Sequence, residues 1–103
     1  MRHLVVVSVD LQKANEEEAG YVREALESIN LRHSLQGSEG KVFELPANVF
    51  AGTVEGDDTV QIAEKVRIEA GKALLHLGLD SRVFVTVGQQ WVWRGQHVRG
   101  ASK

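Results

Sequence analysis

The run Leu4-Val5-Val6-Val7-Ser8-Val9-Asp10-Leu11 restricts this chain more than any other stretch. Valine is stiff at χ1 and crowds a helical turn, whereas a pleated strand accommodates it, so the run reads as a strand with apolar residues on both faces. Side chains alternate along a strand: Val5, Val7, Val9 and Leu11 share one face, and Leu4, Val6, Ser8 and Asp10 share the other. The first set is wholly apolar and is expected to meet helices. The second ends on a carboxylate, which puts Asp10 at the strand's C-terminal end on the face that helices leave uncovered.

The remaining pattern alternates helix and strand signals. Asn15 with Glu18 three residues later forms a capping-box signature, and Glu16 and Glu17 suit the positive end of a helix. Val22, Ala25, Leu26 and Ile29 carry helical spacing to about Asn30. Leu31, His33 and Leu35 share one parity, so a short edge strand is expected over 31–36. Ser38, Gly40 and the single proline, Pro46, bracket a loop that contains Val42 and Phe43. Val49 to Glu55 reads as the next strand, and Gly56-Asp57-Asp58-Thr59 as a turn running into a helix. That helix follows Ile62, Val66, Ala70, Ala73 or Leu74, and Leu77, with Gly78 where a C-cap belongs. Arg82 to Val87 is a second β-branched run, and Gln90 to Arg94 reads as one further strand.

The order is β-α-β-β-α-β. With right-handed crossovers, it builds an α+β ferredoxin-like plait, a four-stranded antiparallel sheet with both helices on one face. The first strand then lies between the strands over 49–55 and 82–87, with 31–36 at the far edge. One domain over residues 1–95 and a disordered tail over 96–103 are expected from a chain of 103 residues, long enough for a single core. Leu4, Val6 and Phe84 make the uncovered face too apolar to stay wholly wet, so that face predicts a homodimer or a ligand.

Composition removes several function classes. There are no cysteines, which excludes a disulfide framework and a thiolate metal site. A formal charge of -2 gives the whole molecule no field that attracts a polyanion, yet Arg94, Arg99 and Lys103 make the C-terminal stretch locally basic. The apolar run is too short for a membrane span and lacks a cleavage site after it, so a cytoplasmic protein without membrane attachment is expected. No phosphate-binding glycine loop, nucleophile elbow or His-x-x-x-His pair occurs.

Asp10 is the first candidate for chemistry. A carboxylate at the end of a central strand binds a divalent cation such as magnesium through oxygen, and in a symmetric dimer its twin supplies a second ligand. The plainer reading is a loop cap that accepts backbone N–H bonds. His33 is a proton-shuttle residue by type and Ser34 a phosphate donor, against the simpler solvent-facing pair on an edge strand. His76 complements the dipole at a helix end. Trp91 and Trp93, with Arg94 beside them, suit either stacking on single-stranded bases or anchoring an interface, and as large apolar groups they fit a sheet-edge dimer contact together with Phe84.

The stretch Val5 to Asp10, the helix after it, the pattern Leu45-Pro-Ala-Asn-Val-Phe-Ala-Gly-Thr53 and the following helix together resemble the GhoS antitoxin family. The layout is also similar to the small ferredoxin-like subunit of CRISPR spacer acquisition. The resemblance covers about residues 4–87 and implies a plait-fold homodimeric endoribonuclease that cleaves a messenger RNA. It assigns the strand-end aspartate to Asp10, as catalytic and metal-binding residue. The Trp91-Val92-Trp93 segment and the lack of a basic loop depart from that family. Two functional readings stand at this point: an endoribonuclease with Asp10 at its centre and Arg94, Arg99 and Lys103 on phosphate, or a non-catalytic module for self-association or protein binding.

Overall fold

The computed structural model describes residues 1–11, 15–37 and 40–100. Its elements are β1 (Arg2–Leu11), α1 (Glu16–Glu27), β2 (Ser34–Gln36), β3 (Val42–Glu44), β4 (Val49–Glu55), α2 (Thr59–His76) and β5 (Ser81–Gly88). The chain is α+β. Its main sheet is antiparallel with three strands in the order β4-β1-β5, and β2 and β3 form a separate two-stranded hairpin.

Strand parity decides how the layers assemble. Val5, Val7 and Val9 of β1 are buried and join Val22 and Leu26 of α1, Phe50 of β4, and Ile62, Val66, Ala70 and Leu74 of α2 in one core. Both helices therefore cover the odd-numbered face of β1. Each fully buried aliphatic side chain contributes about 1.5–3 kcal/mol of transfer free energy, which makes this cluster the main source of stability. Leu4, Val6 and Ser8 lie half-buried and Asp10 exposed on the opposite face.

The helix starts follow their sequence signals. The Asn15 side chain accepts from the Glu18 backbone N–H at 2.8 Å, and Glu18 Oε1 accepts from the Asn15 N–H at 3.2 Å. Asp58 Oδ1 accepts from the Val60 and Gln61 N–H groups at 2.9 and 3.3 Å. Two of the four orphan donors of α2 are thereby satisfied.

Both helices also stop the same way. Beyond α2, Gly78 has φ 71°, its N–H bonds to the Leu75 carbonyl at 2.9 Å, and the Leu79 N–H reaches the Leu74 carbonyl at 3.4 Å. Beyond α1, the left-handed position is held by Asn30 at φ 67°. Its N–H bonds to the Glu27 carbonyl at 3.0 Å, and the Leu31 N–H to the Leu26 carbonyl at 3.0 Å. This is the Schellman pattern, with buried Leu31 packing where the motif wants an apolar contact to Leu26.

Three expectations change. The four-stranded sheet is not seen, because the segment after α1 touches β4 through a single antiparallel bridge, Arg32 to Ala51. The His33 carbonyl is already taken by the Leu45 N–H at 2.9 Å, so the chain leaves β4 there and pairs with β3 instead. Val42 and Phe43, expected in a loop, thus sit in β3, with Leu35 opposite Phe43. The segment Gln90 to Arg94 is not a strand: Trp93 lies against Phe43 with ring centroids 5.8 Å apart and docks the C-terminal stretch on the hairpin.

Candidate functional site at the end of the first strand

The register of β1 against its neighbours builds the site. β1 pairs antiparallel with β5 so that Ser8 faces Phe84 and Asp10 faces Arg82, and it pairs with β4 so that Ser8 also faces Val49. All these residues have the parity of the uncovered face. The valines at 83, 85 and 87 fall on the opposite face, partly buried against the core.

A cleft of about 510 Å³ opens here, lined by Ser8, Asp10, Asn48, Arg82 and Phe84 with Val49 at its side. It combines an apolar wall with a carboxylate, a guanidinium, a hydroxyl and an amide. A concave apolar surface carrying a few convergent polar groups is the usual form of a ligand site. Phe84 is 67% exposed, an unusual position for a large ring on a strand otherwise rich in valine.

The structure thus brings together two residues singled out from sequence, Asp10 and Phe84, and adds Arg82, Asn48 and Ser8. Arg82 was legible in principle: aligning the valines of β1 antiparallel with those of β5 puts it opposite Asp10. The register also carries Asp10 and the C-terminal stretch apart, since Gly88 at the end of β5 faces Leu4. Six residues of strand, about 20 Å, separate Leu4 from Asp10.

The remaining sequence candidates lie elsewhere. Trp91, Trp93 and Arg94 line a second cleft with Gln36 and Gly37, and the Arg94 guanidinium donates to the Trp93 carbonyl at 3.0 Å. Arg99 is exposed, and Lys103 lies outside the described residues. His33 is not a solvent-facing edge residue. It is half-buried, its ring 5.4 Å from that of Phe50, and its Nε2 bonds to the Pro46 carbonyl at 3.1 Å. Phe50 belongs to the core face, so His33 and Asp10 serve opposite faces of the sheet.

One buried histidine was passed over. His3 has the parity of the core face, is 1% exposed and hydrogen-bonds through Nδ1 to the Met1 carbonyl at 3.1 Å. The alternation His3-Val5-Val7-Val9 signalled that burial.

Among the described residues no group of three or more His, Cys, Asp or Glu side chains could hold a metal ion. A magnesium ion at Asp10 would have one protein carboxylate, a set that fits only where water and substrate phosphate complete the shell. Among the described residues no helix is long and apolar enough to cross a membrane. Compared with known proteins, the chain matches no family model and no curated protein.

Proposed function

We propose that the chain is a ferredoxin-like plait that acts on RNA as a homodimeric endoribonuclease, with Asp10 moving the proton and Arg82 holding the phosphate. The order β4-β1-β5 with both helices on one face supports the plait reading, in which the Arg32 to Ala51 bridge would stand for the fourth strand. The resemblance to antitoxin ribonucleases supports a messenger RNA as substrate, met in the cytoplasm. The observation that carries the reading is the cleft in which Asp10, Arg82, Ser8 and Asn48 converge on the uncovered face.

RNA supplies its own nucleophile beside every phosphodiester. The Asp10 carboxylate takes the 2′-hydroxyl proton, the 2′-oxygen bonds to phosphorus, and the bond to the 5′-oxygen breaks as that oxygen gains a proton from water. The Arg82 guanidinium offsets charge on the non-bridging oxygens. Arg94, Arg99 and Lys103 contact phosphates further along the strand and make binding salt-dependent. No step requires a metal ion, and magnesium at Asp10 would serve to orient phosphate.

The test is cleavage of a panel of single-stranded and hairpin RNAs, with and without magnesium. Asp10→Asn abolishes cutting while circular dichroism stays that of the parent. Asp10→Asn cutting at the parental rate, or an RNA panel left intact, sinks the reading.

A second reading, a non-catalytic self-association module, is favoured by the exposed Phe84 ring on an edge strand. Under it, RNA leaves the protein's hydrodynamics unchanged and Asp10→Asn has no phenotype.

A further inference from the structure

We infer that two copies of this chain join along β5, edge to edge and antiparallel, about a two-fold axis through Phe84. The inference rests on the homodimer of the reading above and not on its chemistry. It begins with hydrogen-bond phase. The Val9 N–H donates to the Asn48 carbonyl at 2.9 Å, and the Met1 carbonyl accepts from the Gly56 N–H at 3.0 Å, so odd-numbered residues of β1 direct their backbone groups toward β4. In an antiparallel ladder neighbouring residues direct theirs to opposite sides. Leu4, Val6, Ser8 and Asp10 therefore bond to β5, engaging Gly88, Thr86, Phe84 and Arg82. What remains on the outer edge are the N–H and C=O groups of Val83, Val85 and Val87, without a strand partner among the described residues.

That edge lacks the usual protection. Exposed edges are commonly blunted by lysine, proline, a bulge or shortness, whereas β5 runs eight residues with no Lys or Pro and one charge, Arg82. Beside it, Val60, Ala63 and Arg67 of α2 and Val83, Val85 and Val87 line a cleft open to an incoming strand.

Self-pairing satisfies the edge without conflict. With Phe84 opposite its twin, Val83 meets Val85 of the second copy in a hydrogen-bonded pair, and the same pair repeats across the axis. Arg82 then faces Thr86 and Asp80 faces Gly88, so no like charges are opposed. The two Phe84 rings cover one another as a non-hydrogen-bonded pair, whose Cβ atoms lie about 4.5–5.5 Å apart. The same geometry sets the two Asp10 carboxylates about 20 Å apart, from strand spacings of about 4.8 Å and rises of about 3.3 Å. They cannot share a cation, so each protomer works with its own carboxylate.

The absence of cysteine makes the test clean. Phe84→Cys places its sulfur opposite its own twin in a non-hydrogen-bonded pair, whose Cα separation of about 4.5 Å lies inside the about 4.4–6.8 Å that a disulfide accepts. Mild oxidation then converts it to a covalent dimer, whereas Thr86→Cys, set apart from its twin, stays monomeric on a denaturing gel. In the unmodified chain, sedimentation across a dilution series finds a dimer, and the Val83 and Val85 amides exchange more slowly with hydrogen isotope in the dimer than at monomeric dilution. Phe84→Lys weakens the dimer about tenfold or more, having lost an aromatic pair and gained opposed charges. A monomer at every concentration overturns both this inference and the homodimer beneath it. A dimer in which Phe84→Cys fails to cross-link and the edge amides gain no protection overturns this interface alone. RNA cleavage enters neither outcome.

Discussion

The Asn30 carbonyl oxygen lies where a side chain at Gly52 would begin: a Cβ built on Gly52 would be 2.2 Å from that oxygen. The contact ties the end of α1 to the core face of β4, and a backbone carbonyl cannot swing aside as a flexible side chain can. Gly52→Ala must separate loop from strand. The expected cost is about 2–3 kcal/mol in urea denaturation, the range of an overpacked core. An unchanged midpoint would mean that the loop gives way freely.

Asn30 itself holds a left-handed conformation at φ 67°. Glycine adopts that region without a Cβ penalty and a β-branched residue does so poorly. Asn30→Gly is therefore expected to leave stability equal or raise it by up to about 1 kcal/mol, and Asn30→Val to lower it by about 1–2 kcal/mol. Thermal unfolding of the pair reads the difference.

Two leucines report which helix faces are buried. Leu26 is fully buried in the core, whereas Leu75 is 78% exposed on α2. Leu26→Ala is expected to cost about 2–5 kcal/mol, and Leu75→Ala to stay within about 0.5 kcal/mol of the parent. Equal losses would contradict the stated packing of α2.

Removal of the Asp58 cap strips acceptors from the Val60 and Gln61 N–H groups. Asp58→Ala is expected to cost about 1 kcal/mol, and Asp58→Asn to recover most of it, since an amide oxygen caps as well. Chemical denaturation of the two variants makes the comparison.

Trp93 holds the C-terminal stretch on the hairpin through Phe43, and a Cβ at Gly95 would fall 2.4 Å from that phenyl ring. Trp93→Ala and Gly95→Val are both expected to release the stretch. Limited proteolysis should then cut after Gly88 much faster than in the parent, with core stability changed by less than about 1 kcal/mol.

The layers were legible because their signals are local and repeated. Val5, Val7 and Val9 announce the core face of β1, Asn15 and Asp58 their helix starts, and Gly78 a helix end. The hairpin was not legible. Val42–Glu44 is three residues long, too short to show a period, and its pairing with β2 depends on where the chain leaves β4. Trp91-Val92-Trp93 alternates as a strand would, but its Trp93 ring found Phe43 rather than a sheet edge. At the site, Asp10 stood out as the charge ending an apolar run. Ser8 shared the parity of Asp10 on the same strand, whereas Arg82 and Asn48 came into view only with the register, since nothing local in Arg82-Val83-Phe84 names a partner 72 positions away.

The attachment of the β2–β3 hairpin has a kinetic consequence. Two backbone bonds, between Arg32 and Ala51 in both directions at 2.8 Å, are all that the bridge supplies to hold this flap on the sheet, whereas β1 is laced along its length to strands on either side. Isotope exchange should therefore divide the molecule into two tiers. Amides of Ser34–Gln36 and Val42–Glu44 trade their hydrogens through small openings that leave β1 intact, and those of Val5 and Val7 wait for the whole chain to come apart.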